Sequence, residues 1–145
     1  MKISTKGRYA LRVIIDISQQ GSDKFIPLKE ISERQNISLK YLEMIVAVLT
    51  KAGYLISLRG KEGGYKLAKE PRNYTVGAIL KLTEGSLAPV ACLESDINQC
   101  PKADDCLTLP LWRKLAALVD NYLESVTIED LIKQQDGLIG NNYNI

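Results

Sequence analysis

Apolar side chains recur at helical spacing through the first third of the chain. From Thr5 to Gln19 they follow the i, i+3, i+4, i+7 pattern, and Ser4 or Thr5 serves as the amino-terminal cap. A short second helix is predicted from Leu28 to Gln35, and a third begins after the cap Ser38 and reaches about Ala52. Two helices joined by the short turn at Asn36 are typical of a helix-turn-helix.

The pattern then changes to two β-like runs, Tyr54 to Arg59 and Tyr65 to Lys69, separated by the residues GKEGG at 60–64. A Gly-rich connection between such runs predicts a hairpin. A helix-turn-helix followed by a basic hairpin is typical of a winged helix. The sequence therefore predicts a mainly α protein whose DNA-binding domain, residues 1–83, carries a β-hairpin wing.

Three more helices are predicted downstream. One spans Val76 to Thr83, and a long one runs from Leu109 to Ser125, with Pro110 in its first turn. The long helix carries an apolar stripe that must pack on something, formed by Trp112, Leu115, Ala116, Val119, Tyr122 and Leu123. Thr127 and Asp130 predict a capping box for a short final helix in the segment 109–145, whose last residues, 137–145, are expected to fray.

Charge is unevenly distributed along the chain. The net charge is only +2, but residues 1–69 hold 13 Lys and Arg against 6 Asp and Glu, whereas the remainder holds 6 against 11. A basic front half suits DNA phosphates, although solvated helix faces would give the same asymmetry. No run approaches the roughly 18 apolar residues of a membrane helix, and the start lacks a signal-peptide core, so we expect a cytoplasmic protein with no membrane partner.

The third helix is the predicted reading head. With its apolar stripe buried, the side chains left to enter the major groove are Ser38, Lys40, Tyr41, Glu43, Met44 and Ala47. Lys40 and Tyr41 can reach phosphates, and Glu43 can accept from a cytosine amino group or remain an ordinary solvated residue. In the wing, Arg59 beside Gly60 and Lys61 suits the minor groove. Further phosphate candidates are Lys2, Lys6 and Arg8.

All three cysteines lie in the segment 84–108, the cysteine loop, with the spacing C-x7-C-x5-C. Thiols stay reduced in the cytosol, so Cys92, Cys100 and Cys106 point to ligands or redox chemistry rather than a disulfide. The long spacing favours an iron–sulfur cluster over zinc, but zinc, a thiol switch and inert cysteines remain alternatives. The chain has no histidine to complete the donor set, and nothing in it forms a catalytic constellation, so we expect no enzyme.

Several motifs in one order resemble the IscR group of winged-helix regulators, which includes NsrR and CymR relatives. They are MKISTKGRYALR, ISERQNISLKYLE, RGKEGGYKLAK and CLTLPLW. The resemblance covers nearly the whole chain. It implies a homodimeric transcriptional repressor on a palindromic operator, in which the long helix and its stripe form the dimer contact and the cysteine loop holds a [2Fe–2S] or [4Fe–4S] cluster.

The resemblance places cluster ligation on the three cysteines, base discrimination on Glu43 and wing contact on Arg59. It fails at Leu109, where IscR proteins carry a histidine ligand, so the fourth ligand is unknown. CymR-type relatives lack the cysteine set. We therefore expect a regulator that senses cluster status, redox state or nitric oxide. The alternatives are a cluster-free thiol-switch or effector-regulated repressor and a zinc-stabilised DNA-binding protein.

Overall fold

The computed structural model describes residues 1–134, and the predicted fraying of residues 137–145 lies outside this range. The elements are α1 (Thr5–Gln19), α2 (Leu28–Gln35), α3 (Leu39–Lys51), β1 (Leu55–Leu58), β2 (Gly64–Leu67), α4 (Val76–Glu84), α5 (Leu109–Ser125) and α6, helical over residues 128–134. This order confirms the mainly α winged helix. The cysteine loop proper starts at Gly85, because α4 extends to Glu84.

The helix-turn-helix begins and ends at local signals. Ser4 caps α1 by accepting a hydrogen bond from the Gly7 amide, and Ser38 caps α3 by accepting from the Tyr41 amide at 3.2 Å. Asn36 ends α2 in the left-handed conformation, with φ of 54°, which Asn tolerates better than most residues. The turn between α2 and α3 is thus set by the sequence predicted to form it.

The wing is an antiparallel pair, with Leu55 opposite Leu67 and Leu58 opposite Gly64. Away from the turn, the strands stop at Leu55 and Leu67, inside the predicted runs. The Ala68 amide still donates to the Tyr54 carbonyl at 3.2 Å, and a side chain also holds the base of the hairpin. The buried Tyr74 hydroxyl donates to the Tyr54 carbonyl at 2.7 Å and accepts from the Lys69 amide at 3.0 Å. Tyr74 therefore fixes the base of the wing to the helical body.

One hydrophobic core lies under the helix-turn-helix, and it includes a residue that follows α5. Its members include Ile14, Ile17, Ile31, Leu42, Ile45, Leu49 and Ile128, each at most 1% exposed. The Ile128 amide donates to the Tyr74 carbonyl at 3.0 Å, and the Val76 amide donates to the Val126 carbonyl at 2.8 Å. The chain after α5 thus returns to the core built by residues 1–83.

A charged cluster fixes α5 on α4. Lys81 pairs with Asp120 and, at 3.0 Å, with Glu124, which also accepts from the Thr75 hydroxyl at 2.9 Å. Gly77 permits this approach, since a Cβ there would lie 2.5 Å from the Glu124 carboxylate. The Lys81 hydrogen bond, followed by that of Thr75, lowers the pKa of Glu124. The ionised Glu124 carboxylate therefore contributes to the stability of the fold. This stabilisation is fully present above the ordinary glutamate pKa and is lost as the pH falls through the lowered pKa.

A buried ion pair joins α1 to α2. Asp16, 2% exposed, accepts from the Arg34 guanidinium through two nitrogens, at 2.8 and 3.0 Å, and from the side-chain amide of Gln35 at 2.8 Å. The hydrogen bond with Asp16 raises the pKa of Arg34. Because the carboxylate is fully partnered, its burial is tolerated and the angle between the two helices is fixed.

Candidate DNA interface and cysteine loop

Helix α3 presents the predicted polar face to solvent. Its apolar stripe is buried, at Leu42, Ile45, Val46 and Leu49. The opposite face is exposed, at Lys40, Glu43, Met44 and Ala47. A helix with one bare face projecting from a small domain can enter a major groove, which accommodates one α-helix.

Two residues predicted to contact DNA also stabilise the fold. The Ser38 hydroxyl oxygen is occupied in capping α3. Tyr41 is only half exposed, and its ring meets Tyr9 of α1 edge to face, with centroids 5.5 Å apart. The contact joins the second turn of α1 to the first turn of α3.

The structure brings Glu43 and the wing together. A cleft of about 430 Å³ lies between α3 and the hairpin, and its lining includes Glu43, Ser57, Arg59, Gly60 and Tyr65. Lys61, the third predicted wing residue, is exposed in the turn. Sequence spacing suggested Glu43 and Arg59 separately, and only the packing of the hairpin shows that they share one cleft.

Helix α1 adds a basic ridge beside the start of α3. Lys6, Tyr9 and Arg12 recur every three residues and so lie on one face. The Arg12 guanidinium stacks 5.0 Å from the centre of the Tyr9 ring and donates to the Gln35 side chain at 3.1 Å. Lys2 and Arg8 are exposed nearby in the sequence. Tyr9 was not predicted as a site residue, and its contact with Tyr41 joins this ridge to α3.

The cysteine loop joins α4 to α5 through two short 3-10 turns, Ala91–Leu93 and Ala103–Asp105. All three cysteines are free thiols, with Cys100 exposed and the other two half exposed. Within residues 1–134, no three or more His, Cys, Asp or Glu side chains are arranged to hold a metal ion. The loop thus gathers the thiols in sequence without bringing them to one point.

Cys106, at the carboxyl end of the loop, has a thiol suited to binding a metal ion. The Thr108 hydroxyl lies 3.4 Å from Cys106 Sγ, and its hydrogen bond, followed by that of the Thr108 amide, lowers the pKa of the thiol. Thiolates are the form that binds iron, and the three cysteines would supply three of the four donors usual for an iron–sulfur cluster. Leu109, 4% exposed, has a hydrocarbon side chain without a donor atom, so this position supplies no fourth donor.

Helix α5 has an apolar face that the described chain leaves uncovered. Leu111, Leu115, Leu118 and Tyr122 are spaced four, three and four residues apart, as in a coiled-coil seam. Three of them are strongly exposed, Leu111 and Leu118 at 59% and Tyr122 at 67%. We call these four residues the outer face of α5. Leu111 and Leu118 were not predicted as contact residues, because they lie outside the apolar stripe that begins at Trp112.

The other members of the predicted stripe lie elsewhere on α5. Trp112, Val119 and Leu123 are half buried. Ala116 lines a hollow with Lys81 and Asp120, on the side that meets α4. Helix α5 therefore has two apolar faces, one that packs on α4 and one that is exposed to solvent.

No helix among residues 1–134 is long and apolar enough to cross a membrane.

Comparison with known proteins gives consistent matches over almost the whole chain. The profile of the Rrf2 family, described as iron-dependent transcriptional regulators, matches residues 3–134. Protein rrf2 of Nitratidesulfovibrio vulgaris strain Hildenborough is 39% identical over 133 residues, which is 92% of this chain and 88% of that protein. The regulator IscR of Serratia proteamaculans is 37% identical over 139 residues, covering 96% and 84% of the two chains.

Solved structures agree with this assignment. CymR of B. subtilis, a global cysteine regulator, superposes with a TM-score of 0.75 at 36% identity, covering 92% of this chain and 98% of that one. IscR of T. potens gives a TM-score of 0.72 at 36% identity, covering 93% and 88%. These relatives are regulators of transcription and not enzymes. The chain is a winged helix that belongs to the Rrf2 family of DNA-binding transcriptional regulators.

Proposed function

We propose that this regulator senses iron–sulfur cluster status, redox state or nitric oxide through Cys92, Cys100 and Cys106. The observation that carries the proposal is the position of the thiols. All three are free and accessible in the one segment that leads directly into α5. A cluster bound there would supply a group that oxidants or nitric oxide can alter. The fourth ligand would come from solvent, a small thiol or a second subunit.

We propose that DNA is bound by α3 and the wing, the two elements on either side of the cleft. Lys40 and Lys61 would contact phosphates, and Arg59 would enter the minor groove beside the wing. Glu43 would discriminate bases, because its carboxylate can accept from a cytosine amino group and is repelled by phosphate. Further contacts with the DNA backbone would come from Ser38, Tyr41, Lys2, Lys6 and Arg8.

We also propose that the protein acts as a homodimer on a palindromic operator, with repression as its effect. The outer face of α5 is the surface that a second copy would cover, joined at its edge by Trp112 and Val119. Helix α5 is fixed to α4 by Lys81, Asp120 and Glu124. Ordering the cysteine loop at the start of α5 would therefore move the dimer contact and the two reading helices together.

The cluster proposal predicts a coloured, iron-containing protein. Anaerobic reconstitution with ferrous iron and sulfide should give the visible absorption of an iron–sulfur cluster, and air or nitric oxide should bleach it and change the affinity for a DNA duplex selected from a random library. The triple Cys→Ala variant should bind no iron and should keep one DNA affinity under all conditions. Iron content, absorption and fluorescence anisotropy of the labelled duplex measure these results.

Two results would contradict this proposal. One is a triple Cys→Ala variant whose DNA affinity still responds to air or nitric oxide. The other is a wild-type protein that binds zinc in preference to iron and shows no visible absorption, which would favour a structural zinc site.

A cluster-free thiol switch is the second candidate, and the Cys106–Thr108 contact favours it. The lowered thiol pKa makes Cys106 a better nucleophile toward oxidants near neutral pH. This candidate requires that iron-free protein change its DNA affinity with oxidant, and that Cys106→Ser alone abolish the change.

Base discrimination by Glu43 gives a separate prediction. Glu43→Ala should relax the sequence preference by about tenfold at one position of the selected site, since one base contact is worth about 1–3 kcal/mol. Binding to random DNA should stay the same or strengthen slightly, because a negative charge has been removed. Affinities for a panel of single-base variants measure the effect. Lys40→Ala is the control and should weaken all sequences alike; a uniform loss with Glu43→Ala would overturn the role.

A further inference from the structure

The last residue of α4 reaches across to the amino terminus of α1. The Glu84 carboxylate accepts a hydrogen bond from the Ser4 amide at 3.0 Å and another from the Ser4 hydroxyl at 2.5 Å. The same hydroxyl caps α1 by accepting from the Gly7 amide at 3.1 Å. Glu84 therefore holds the residue that starts α1, although the two residues are 80 positions apart.

The sequence of α1 leaves room for this carboxylate. The first turn of α1 contains no acidic residue, so the positive end of the helix dipole is not balanced from within the helix. Gly7 is buried and has no side chain, and a Cβ there would overlap the Glu84 carboxylate oxygen. Both features make α1 complementary to a carboxylate supplied by α4.

The segment that Glu84 holds carries phosphate candidates. Lys2 precedes Ser4 by two residues, and Lys6 lies in the first turn of α1 on the face of Tyr9. Tyr9 meets Tyr41 at the start of the reading helix. Lys6 thus shares a face of α1 with the ring that meets α3. The contact that holds Ser4 has its other end directly before Gly85, where the cysteine loop begins.

We propose that Glu84 is a positioning residue for DNA binding, which holds the amino terminus of α1 so that Lys2 and Lys6 meet DNA phosphates. This inference rests on the proposed phosphate role of those lysines. Glu84 carries the wrong charge to touch DNA itself, and it acts through Ser4. Glu84 also lies directly before the cysteine loop, so its contact with Ser4 links that loop to the amino terminus of α1 without passing through α3.

The salt dependence of DNA binding tests the proposal. For wild type and Glu84→Ala, the affinity for a random-sequence DNA duplex is measured across a range of salt concentrations. Each phosphate contact contributes about 0.9 to the slope of log affinity against log salt. Glu84→Ala should make the slope shallower by about 1 to 2 and weaken binding by about tenfold at low salt. Glu84→Gln keeps an acceptor oxygen for Ser4 and should retain most of the slope.

Combining Glu84→Ala with other substitutions shows whether Glu84 acts through Ser4 and the two lysines. In a Lys2→Ala/Lys6→Ala protein, adding Glu84→Ala should leave the slope unchanged. Gly7→Ala should displace the Glu84 carboxylate and reproduce the shallower slope, but it should have no further effect on the slope in the Glu84→Ala protein. Thermal unfolding is recorded for every variant, so that loss of folded protein is separated from loss of phosphate contacts.

Several outcomes would overturn the inference. A lower melting temperature with an unchanged slope would make Glu84 a helix cap and nothing more. Tighter DNA binding by Glu84→Ala would mean that the carboxylate only repels phosphate. An unchanged slope in Lys2→Ala/Lys6→Ala would remove the phosphate role of the lysines while leaving DNA binding intact. Wild-type protein that binds no duplex would instead refute the proposed DNA contacts as a whole.

Discussion

Replacing Leu118 by glutamate should convert the protein into a folded monomer. Leu118 lies in the middle of the outer face of α5, where it is 59% exposed in the single chain. In the proposed dimer this charge would be buried against a second apolar helix without a partner, which is strongly unfavourable. Because two linked reading heads bind a palindrome far more tightly than one, affinity for a two-half-site duplex should fall about 100-fold. Light scattering and fluorescence anisotropy measure the two effects.

The matched control is Ala117→Glu. Ala117 is the preceding residue and is also exposed, but it is turned about 100° away around the helix. This variant should remain dimeric and bind DNA as the wild type does. If Leu118→Glu kept the dimer mass while Ala117→Glu lost it, the second copy would cover a different face of α5.

Replacing Ile128 by alanine should destabilise the DNA-binding domain. Ile128 is fully buried in the core shared with α1 and α3, although it follows α5 in the sequence. Truncating a buried isoleucine to alanine costs about 2–5 kcal/mol of unfolding free energy, through lost transfer free energy and the cavity left behind. Urea denaturation followed by circular dichroism measures the loss. DNA binding should weaken only where unfolded protein accumulates.

Ile132→Ala provides the comparison, since Ile132 is half buried and packs on the edge of the same core. Its cost should be clearly smaller than that of Ile128→Ala. Thr127→Ala removes the hydroxyl that accepts from the Asp130 amide and should cost about 1 kcal/mol. Equal, negligible losses for Ile128→Ala and Ile132→Ala would mean that residues 126–132 are not part of the folded core in solution.

Local sequence signals were sufficient for the helices. Helices α1 and α5 have the predicted bounds, because caps such as Ser4 and first-turn residues such as Pro110 act over one turn of chain. The exposed positions of Lys40 and Glu43 also follow from the helical period, once the apolar stripe of α3 is assigned to the core. The capping box of Thr127 and Asp130 formed as predicted.

The sequence by itself determined the elements of a winged helix, the basic half of the chain and the grouping of three thiols in one loop, because each depends on neighbours within a few residues. Only the tertiary structure decided which face of α5 stays open, that Ile128 returns to the core, and that Glu84 reaches Ser4. These features depend on contacts between residues far apart in the chain. Periodicity identifies an apolar stripe, but the helix that covers it is chosen by packing.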